Sequence, residues 1–290
     1  DLYGREFAEL AARLGKKADA AVVNKAAQGF EQATIQYGFD YQGGYFLRAY
    51  DAFSKEVGSS RCEEGKIFIE PQGFCTMARI GAKEGLGRKA MESSLKYLLD
   101  DWGAEIVYPP YSRYHVELGE ISSYPQGVKE NGAVFNHNNP WLTIALCKEG
   151  MKEEAFDLYK RNAPAYIEDK SDIHKTEPYV YSQMIAGRYS ANYGEAKNSW
   201  LTGSATWSFV ALSEGILGII PDWDGLIIKP CLSKKFQKVE IQRLFRGKKF
   251  LIQIENTGAE FSLTVNGTKQ TSPLVLLKDG VDTYNVVVSC

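Results

Sequence analysis

Two polar stretches, residues 129–141 and 194–207, hold the side chains best suited to chemistry in this sequence. They combine amides, hydroxyls, one histidine and tryptophans. The apolar C–H faces of a sugar pack on aromatic rings, whereas its hydroxyls need directional hydrogen-bond partners, so this combination favours carbohydrate binding. The second stretch ends where apolar residues take up helical spacing, and a helix start attracts anions. Together the two stretches predict a site that binds a sugar and an oxyanion.

His137 is one of three histidines and stands among Asn136, Asn138 and Asn139. In this setting its imidazole could donate a hydrogen bond to an anion. The alternative is a structural histidine that caps a helix opened by Pro140. A single N-cap side chain satisfies a helix start, so the number of amides around His137 favours a binding role.

Thr202 and Gly203 also have two interpretations. In most proteins such a pair is a plain N-cap of the helix that follows. Trp200 and Trp207 flank the pair, and aromatic faces beside hydrogen-bonding groups favour a carbohydrate site, although a tryptophan is more often part of a core.

The acidic residues offer fewer candidates. Glu120 and Glu177 lie beside aromatics and prolines and could accept hydrogen bonds from sugar hydroxyls, or could be solvated loop residues. Asp222 and Asp224 resemble an acid pair for glycosidic chemistry, but they fall where turn residues are expected. We interpret them as turn residues.

The bulk composition excludes several classes of protein. The 290 residues are 44% hydrophobic and 24% charged, with a formal net charge of -2 and scattered basic residues, so neither nucleic acid nor an anionic membrane is an expected partner. No apolar run reaches the roughly 20 residues of a membrane helix, and the beginning does not resemble a signal peptide, which predicts a cytoplasmic protein. The five cysteines lack a metal-ligand spacing, so we expect reduced thiols and no metal site.

Periodicity divides the chain into two regions. Residues 4–37 carry the spacing of two consecutive helices, and further segments with helical spacing follow at 72–84, 87–101, 140–149, 151–162, 177–187 and 204–217. From Gly225 onward the pattern changes to short alternating strands typical of an antiparallel sandwich, with Asn266 and Gly267 as a hairpin turn. We therefore predict domains at 1–220 and 221–290.

Six motifs together resemble the inverting disaccharide phosphorylases of glycoside hydrolase family 94, which include cellobiose and chitobiose phosphorylases. They cover most of the chain up to Pro230 and occupy residues 67–74, 118–125, 129–132, 135–141, 176–183 and 194–203. The resemblance implies an all-α (α/α)6 barrel, incomplete in this chain, followed by a small all-β antiparallel sandwich. It also implies a homodimer.

The same resemblance implies roles for individual residues. The phosphate-binding positions are His137, Gln183, Thr202 and Gly203. The sugar-binding positions are Glu120, Tyr124, Lys129 and Gln183.

The implied reaction is cleavage of a β-linked disaccharide by inorganic phosphate, with inversion. The products are α-glucose 1-phosphate and a free sugar, cellobiose is the expected substrate, and no cofactor is needed besides phosphate as co-substrate. The family's general-acid aspartate belongs to a motif upstream of every segment matched here, so this chain resembles the C-terminal part of such an enzyme and is expected to be inactive alone. Residues 126–128 depart from the Pro-Gly-Tyr expected there, which leaves the acceptor sugar open.

Two other functions remain open at this point. One is a glycoside hydrolase with the same fold, which would turn over without phosphate. The other is a non-catalytic carbohydrate-binding or structural module.

Overall fold

A computed structural model describes residues 1–290. It contains eight α-helices, and the last of them continues into a π-helical segment, Ala211–Ile216. The helices are α1 (Leu2–Arg13), α2 (Lys17–Tyr37), α3 (Ile69–Met77), α4 (Leu86–Tyr97), α5 (Asn139–Lys148), α6 (Lys152–Asn162), α7 (Ser171–His174) and α8 (Ser204–Val210). Short 3-10 helices lie at Gly119–Ser122, Pro164–Tyr166 and Glu168–Lys170.

Short strands alternate with these helices in the first three quarters of the chain. They are β1 (Phe39–Asp40), β2 (Tyr45–Phe46), β3 (Ala49–Tyr50), β4 (Glu56–Val57), β5 (Ile67–Phe68), β6 (Leu99–Asp100), β7 (Gly103–Ala104), β8 (Val107–Tyr108), β9 (Val134–Phe135), β10 (Ser182–Ile185) and β11 (Ala196–Ser199). β1 pairs with β2, β3 with β4, β5 with β8 and β6 with β7, and β10 lies between β11 and β9. All of these pairs are antiparallel.

Helix α5 is at the centre of the helical layer. It packs against α3, α4, α6, α8 and the π-helical segment. Because it has neighbours on nearly every side, its sequence is apolar around most of its circumference, and Leu142 and Leu146 are fully buried. The approach to α3 is close at Gly73, where an added Cβ would lie 3.2 Å from the Cβ of Trp141.

The last quarter of the chain forms two sheets. Their strands are β12 (Ile219–Pro221), β13 (Gly225–Ile228), β14 (Lys238–Phe245), β15 (Lys248–Glu255), β16 (Ser262–Val265), β17 (Thr268–Gln270), β18 (Leu274–Leu276) and β19 (Thr283–Ser289). One sheet has the order β12-β13-β18 and the other β14-β15-β19-β16-β17. Alternate residues of the strands, such as Phe250, Ile252 and Ile254, are buried in a core that both sheets share.

The expected fold class is wrong. The first region is not all-α, because eleven short strands lie among its helices, and the helices do not close into a barrel. The large sheet is not purely antiparallel either, since β15 and β19 pair in parallel. The strands of two residues were missed because so short a run carries no readable alternation, and the parallel pair was missed because alternation does not encode strand direction.

The predictions for individual elements were right for one turn and wrong for one helix. The helix expected at 177–187 is wrong, because its centre is strand β10, hydrogen-bonded to β9 and β11. The hairpin turn at Asn266 and Gly267 is confirmed: both residues have positive φ and they connect β16 to β17. No helix combines the length and apolar character that crossing a membrane requires.

Candidate functional site

Strand pairing brings the first polar stretch beside Gln183. β9 pairs with β10, and the amide of Asn136 donates to the carbonyl oxygen of Gln183 at 2.9 Å. His137 follows in the turn between β9 and α5. His137 and Gln183 are therefore neighbours, although they are far apart in sequence.

A row of aromatic rings connects His137 to the second polar stretch. The His137 ring lies 5.1 Å from Trp141, and Trp141 lies 5.8 Å from Trp207, with both pairs nearly perpendicular. Trp207 is on α8, which begins directly after Thr202 and Gly203. The two polar stretches predicted to form one site are thus in contact.

The environment of His137 favours its neutral form. The ring is half-buried and lies nearly perpendicular to the Phe135 ring, with 5.0 Å between the ring centroids. Desolvation lowers the pKa of His137 below its ordinary value. A neutral imidazole keeps one N–H donor and one acceptor nitrogen for a ligand.

Thr202 and Gly203 retain room for a ligand. The Thr202 hydroxyl accepts a hydrogen bond from the amide of Ser204 at 3.1 Å and shares another with its hydroxyl at 2.7 Å. The Thr202 hydroxyl therefore stabilises the turn before α8, but it is not a helix cap, because the N-cap residue is Gly203 and no side chain caps this helix. Gly203 is exposed, and a Cβ added to it would meet no atom within 4 Å.

The asparagines around His137 bind backbone. Asn136 donates through Nδ2 to the carbonyl and hydroxyl oxygens of Ser182, at 3.0 and 2.8 Å. Asn139 accepts from the amide of Ala104 at 2.7 Å and donates to its carbonyl oxygen at 3.0 Å. Both side chains are buried; the backbone satisfies Asn139, whereas the Oδ1 of Asn136 has no hydrogen-bond partner, and His137 is the more exposed side chain of the turn.

Gln183 belongs to a second polar pair. Its Oε1 accepts from Asn198 Nδ2 at 2.9 Å, across the β10–β11 ladder. Further along, the indole of Trp200 donates to Glu177 at 3.2 Å. The pKa of Glu177 is lowered, first by its own backbone amide and then by this indole.

The expected sugar-binding residues are only partly brought together. The Lys129 ammonium lies 5.3 Å from the ring centroid of Tyr124, and the Lys129 amide is 3.3 Å from the sulfur of Met184, the neighbour of Gln183. Glu120 is exposed on the 3-10 helix Gly119–Ser122, and no side-chain hydrogen bond connects it to the other three.

Two carboxylates near the site were missed. Glu70 on α3 and Glu130 beside Lys129 each have a buried Oε2 without a hydrogen-bond partner. Burial raises the pKa of Glu70, and Glu130 adds to the effect. Glu70 lies inside the motif at 67–74 and Glu130 inside the motif at 129–132. Their positions within these motifs were the feature of the sequence that could have identified them as site candidates.

Asp222 and Asp224 have structural contacts. Asp222 accepts the amide of Asp224 at 3.0 Å, as in a turn. Asp224 forms an ion pair with Arg13 at 2.9 Å, which connects α1 to this turn. The five cysteines are free, and no group of three or more His, Cys, Asp or Glu side chains is arranged to hold a metal ion.

Comparison with known families assigns the chain to a superfamily. The family model described as "Glycosyl hydrolase 94 superfamily, catalytic domain" matches residues 2–218. The chain belongs to this superfamily. The match covers both polar stretches and the aromatic row between them.

Curated relatives narrow the comparison. An N,N'-diacetylchitobiose phosphorylase of Vibrio proteolyticus is 30% identical over 98% of this chain and 36% of its own length, and one of Vibrio furnissii is 31% identical over 90% and 33%. A solabiose phosphorylase of Paenibacillus borealis is 30% identical over 76% of the chain and 28% of its own length. The chain therefore spans about a third of the length of these relatives. A solved GH92 α-mannosidase of Bacteroides thetaiotaomicron, with 14% identity over 97% of the chain and 34% of its own, reaches a TM-score of only 0.38 and says nothing about this fold.

Proposed function

We propose that the chain is part of an inverting phosphorylase that cleaves a β-linked disaccharide with inorganic phosphate. The observation that carries the proposal is the contact of His137 with Trp141, and of Trp141 with Trp207, because it joins two separate polar segments into one site. The products are an α-sugar 1-phosphate and a free sugar. Membership of the superfamily and the similarity to phosphorylases support this reaction.

Phosphate removes the need for one of the two carboxylates of an inverting hydrolase. A hydrolase needs a base to activate water, whereas phosphate already carries nucleophilic oxygens. One phosphate oxygen bonds to the anomeric carbon on the face opposite to the leaving oxygen, the glycosidic bond breaks, and a general acid protonates the departing oxygen. We assign that acid to a part of the polypeptide outside residues 1–290, and these residues alone are expected to be inactive.

The role of His137, Thr202 and Gly203 is to hold the anion against the anomeric carbon. The imidazole N–H, the hydroxyl and the backbone N–H are neutral donors, so they orient phosphate without neutralising the nucleophile. The Gln183 carbonyl oxygen accepts from the amide of Asn136, next to His137, and the following residue, Met184, contacts the amide of Lys129, so we assign Gln183 to both phosphate and sugar.

The disaccharide is proposed from the relatives. Two enzymes that match 90% or more of the chain act on N,N'-diacetylchitobiose, which favours this substrate over the cellobiose expected from the sequence. Measuring the rate of phosphorolysis of each disaccharide in turn distinguishes these two substrates.

Replacement of His137 tests the phosphate role. In the full-length polypeptide that contains these residues, we expect His137→Ala to raise the KM for phosphate by about tenfold or more, because one donor to the anion is lost. The KM for disaccharide should change by less than about threefold. Steady-state kinetics with phosphate and disaccharide varied in turn give both values.

His174→Ala is the matched control, since this histidine is buried and stacks on Trp102, whereas His137 is half-buried beside Trp141. It should lower stability without changing the KM for phosphate. Equal losses for both substrates in His137→Ala would contradict the phosphate assignment. Turnover in the absence of phosphate would instead indicate a hydrolase.

A further inference from the structure

A single buried side chain closes the loop that carries Glu120. Residues 111–124 leave the helical layer and return to it, and Asn131 lies beneath both ends. Asn131 has no exposed surface. It belongs to the motif at 129–132, and neither the sequence interpretation nor the proposed mechanism gives it a role.

The hydrogen bonds of Asn131 reach both ends of the loop. Oδ1 accepts from the amide of Tyr111 at 2.7 Å, and Nδ2 donates to the carbonyl oxygen of Tyr111 at 2.9 Å. Nδ2 also donates to the carbonyl oxygen of Tyr124 at 2.7 Å. Both donors of the carboxamide are used, and each is given to the main chain.

The interior of the loop is held in the same way. The hydroxyl of Ser122 accepts from the amide of His115 at 2.9 Å and contacts the carbonyl oxygens of His115 and Gly119 at 3.2 and 3.0 Å. Gly119 and Ser122 bound the 3-10 helix that contains Glu120. Leu118 and Ile121 of the loop pack against the hydrophobic core, and these polar bonds fix the main chain around them.

We propose that Asn131 is a positioning residue for the acceptor sugar, which acts by fixing the loop 111–124 so that Glu120 and Tyr124 meet the sugar in one arrangement. This inference rests on the proposed function, because it assigns the loop to the acceptor side of the same site. A loop ordered before binding does not lose its conformational entropy when the sugar binds, so acceptor affinity depends on the amide. Asn131 itself touches no substrate.

Hydrogen–deuterium exchange tests, without any enzyme assay, whether the hydrogen bonds of Asn131 hold the two ends of the loop 111–124 together. We call these three hydrogen bonds the clamp. Asn131→Asp keeps the shape and the acceptor for the Tyr111 amide but removes both donors, leaving two carbonyl oxygens against a carboxylate. In residues 1–290, we expect amides within 111–124 to exchange about tenfold faster or more in this variant, since closing bonds are lost. Amides of α5 should keep their rates.

Kinetics of the full-length polypeptide test the assignment to the acceptor. In the synthetic direction, Asn131→Asp should raise the KM for the acceptor sugar by about tenfold, while the KM for the sugar 1-phosphate stays within about twofold. Asn162→Asp is the matched control, because Asn162 is also buried and donates to a backbone carbonyl, that of Trp102, at 3.0 Å. Asn162→Asp should not raise the KM for the acceptor sugar more than the KM for the sugar 1-phosphate.

Ser122→Ala is the milder second variant if Asn131→Asp does not fold. It removes the hydroxyl that accepts from the His115 amide and donates to carbonyl oxygens inside the loop, so it should speed exchange in residues 113–120 and raise the KM for the acceptor sugar.

Unchanged exchange in the loop would overturn the clamp. Faster exchange with an unchanged acceptor KM would overturn the assignment to the acceptor sugar but not the proposed function. Absence of any phosphorolysis in the unmodified full-length polypeptide would refute the proposed function, and the exchange result would still decide the clamp.

Discussion

Histidines at two positions show how burial sets the chemistry of a side chain. His137 is half-buried in a turn, and its ring lies nearly perpendicular to the ring of Trp141. His174 is buried and stacks on Trp102 at 5.6 Å, where burial lowers its pKa to about 4. Residue type alone does not distinguish these two histidines, and the tertiary environment separates them.

His174 predicts a dependence of stability on pH. Its pKa in the unfolded chain is about 6.5, so the unfolded state binds more protons between that value and about 4. The contribution of neutral His174 to the free energy of unfolding is therefore complete above about pH 6.5, and it is lost as the pH falls towards 4. Between about pH 7.5 and pH 5 the loss should be about 2 kcal/mol.

Urea denaturation of the natural protein and of His174→Phe, at both pH values, measures this contribution. The phenylalanine cannot titrate, so its free energy of unfolding should fall less with decreasing pH. Comparing the pH dependence, not the absolute stability, avoids the effect of the lost contact with Gly194. Parallel curves for the two proteins would exclude His174 as the titrating group.

At the scale of elements, hydrogen bonds between distant segments decide what local spacing leaves open. Strand β10 has an apolar spacing compatible with a helix, yet it pairs with β9 and β11 on its two sides. Strand β19 pairs in parallel with β15, with residues 256–282 between them. In both cases the partner lies outside any window used to read periodicity.

Substitutions at the contact between β15 and β19 should reduce the stability of the protein strongly. Phe250 and Tyr284 stack at 4.6 Å, and the Tyr284 hydroxyl accepts from the amide of Lys278 at 2.6 Å. Tyr284→Phe should cost about 1 kcal/mol, because one hydrogen bond is lost, and Tyr284→Ala about 3–5 kcal/mol, because a large core side chain is removed.

Chemical denaturation of both variants gives these differences in free energy of unfolding. Tyr179→Phe is the control, since Tyr179 is 73% exposed and should have no measurable effect. Equal costs for Tyr284→Phe and Tyr284→Ala would show that the hydroxyl, and not the ring, stabilises the sheet.

At the scale of the whole molecule, α6 joins the helical layer to the C-terminal sheets. Phe156 is buried in the core of those sheets and lies 4.8 Å from Phe236. Glu153 accepts hydrogen bonds from the hydroxyl of Ser233 at 2.7 Å and the amide of Lys234 at 2.8 Å. The domain boundary at residues 220 and 221 stays a prediction, but the two sides share a buried contact.

Shared burial predicts that both regions unfold together. Phe156→Ala should lower the free energy of unfolding by about 3–5 kcal/mol, because it leaves a cavity at the junction. In the unmodified protein, tryptophan fluorescence and far-ultraviolet circular dichroism should report one coincident transition.

Phe53→Ala, at a position 76% exposed, is the control and should leave the midpoint unchanged. Two separate transitions in the unmodified protein would show that the α6 contact does not couple the regions.

The sequence predicted the meeting of the two polar stretches better than the fold around them. Aromatic, amide and hydroxyl side chains were recognisable by type, and the two polar stretches do meet at Trp141 and Trp207. The role of Asn131 and the burial of Glu70 were not predictable, because both depend on which backbone or charge comes within reach after folding.

Taken alone, the amino-acid order determined the superfamily, the local turn at Asn266 and Gly267, and the change from helical to alternating spacing near residue 218. These features are set by neighbouring residues or by a recognisable run of side chains. Only the tertiary structure decided the pairing of β10, the direction of β19, the desolvation of His137 and the closure of the 111–124 loop. Each of these depends on desolvation or on hydrogen bonds between segments remote in the chain, and such partners are fixed only when the whole molecule has folded.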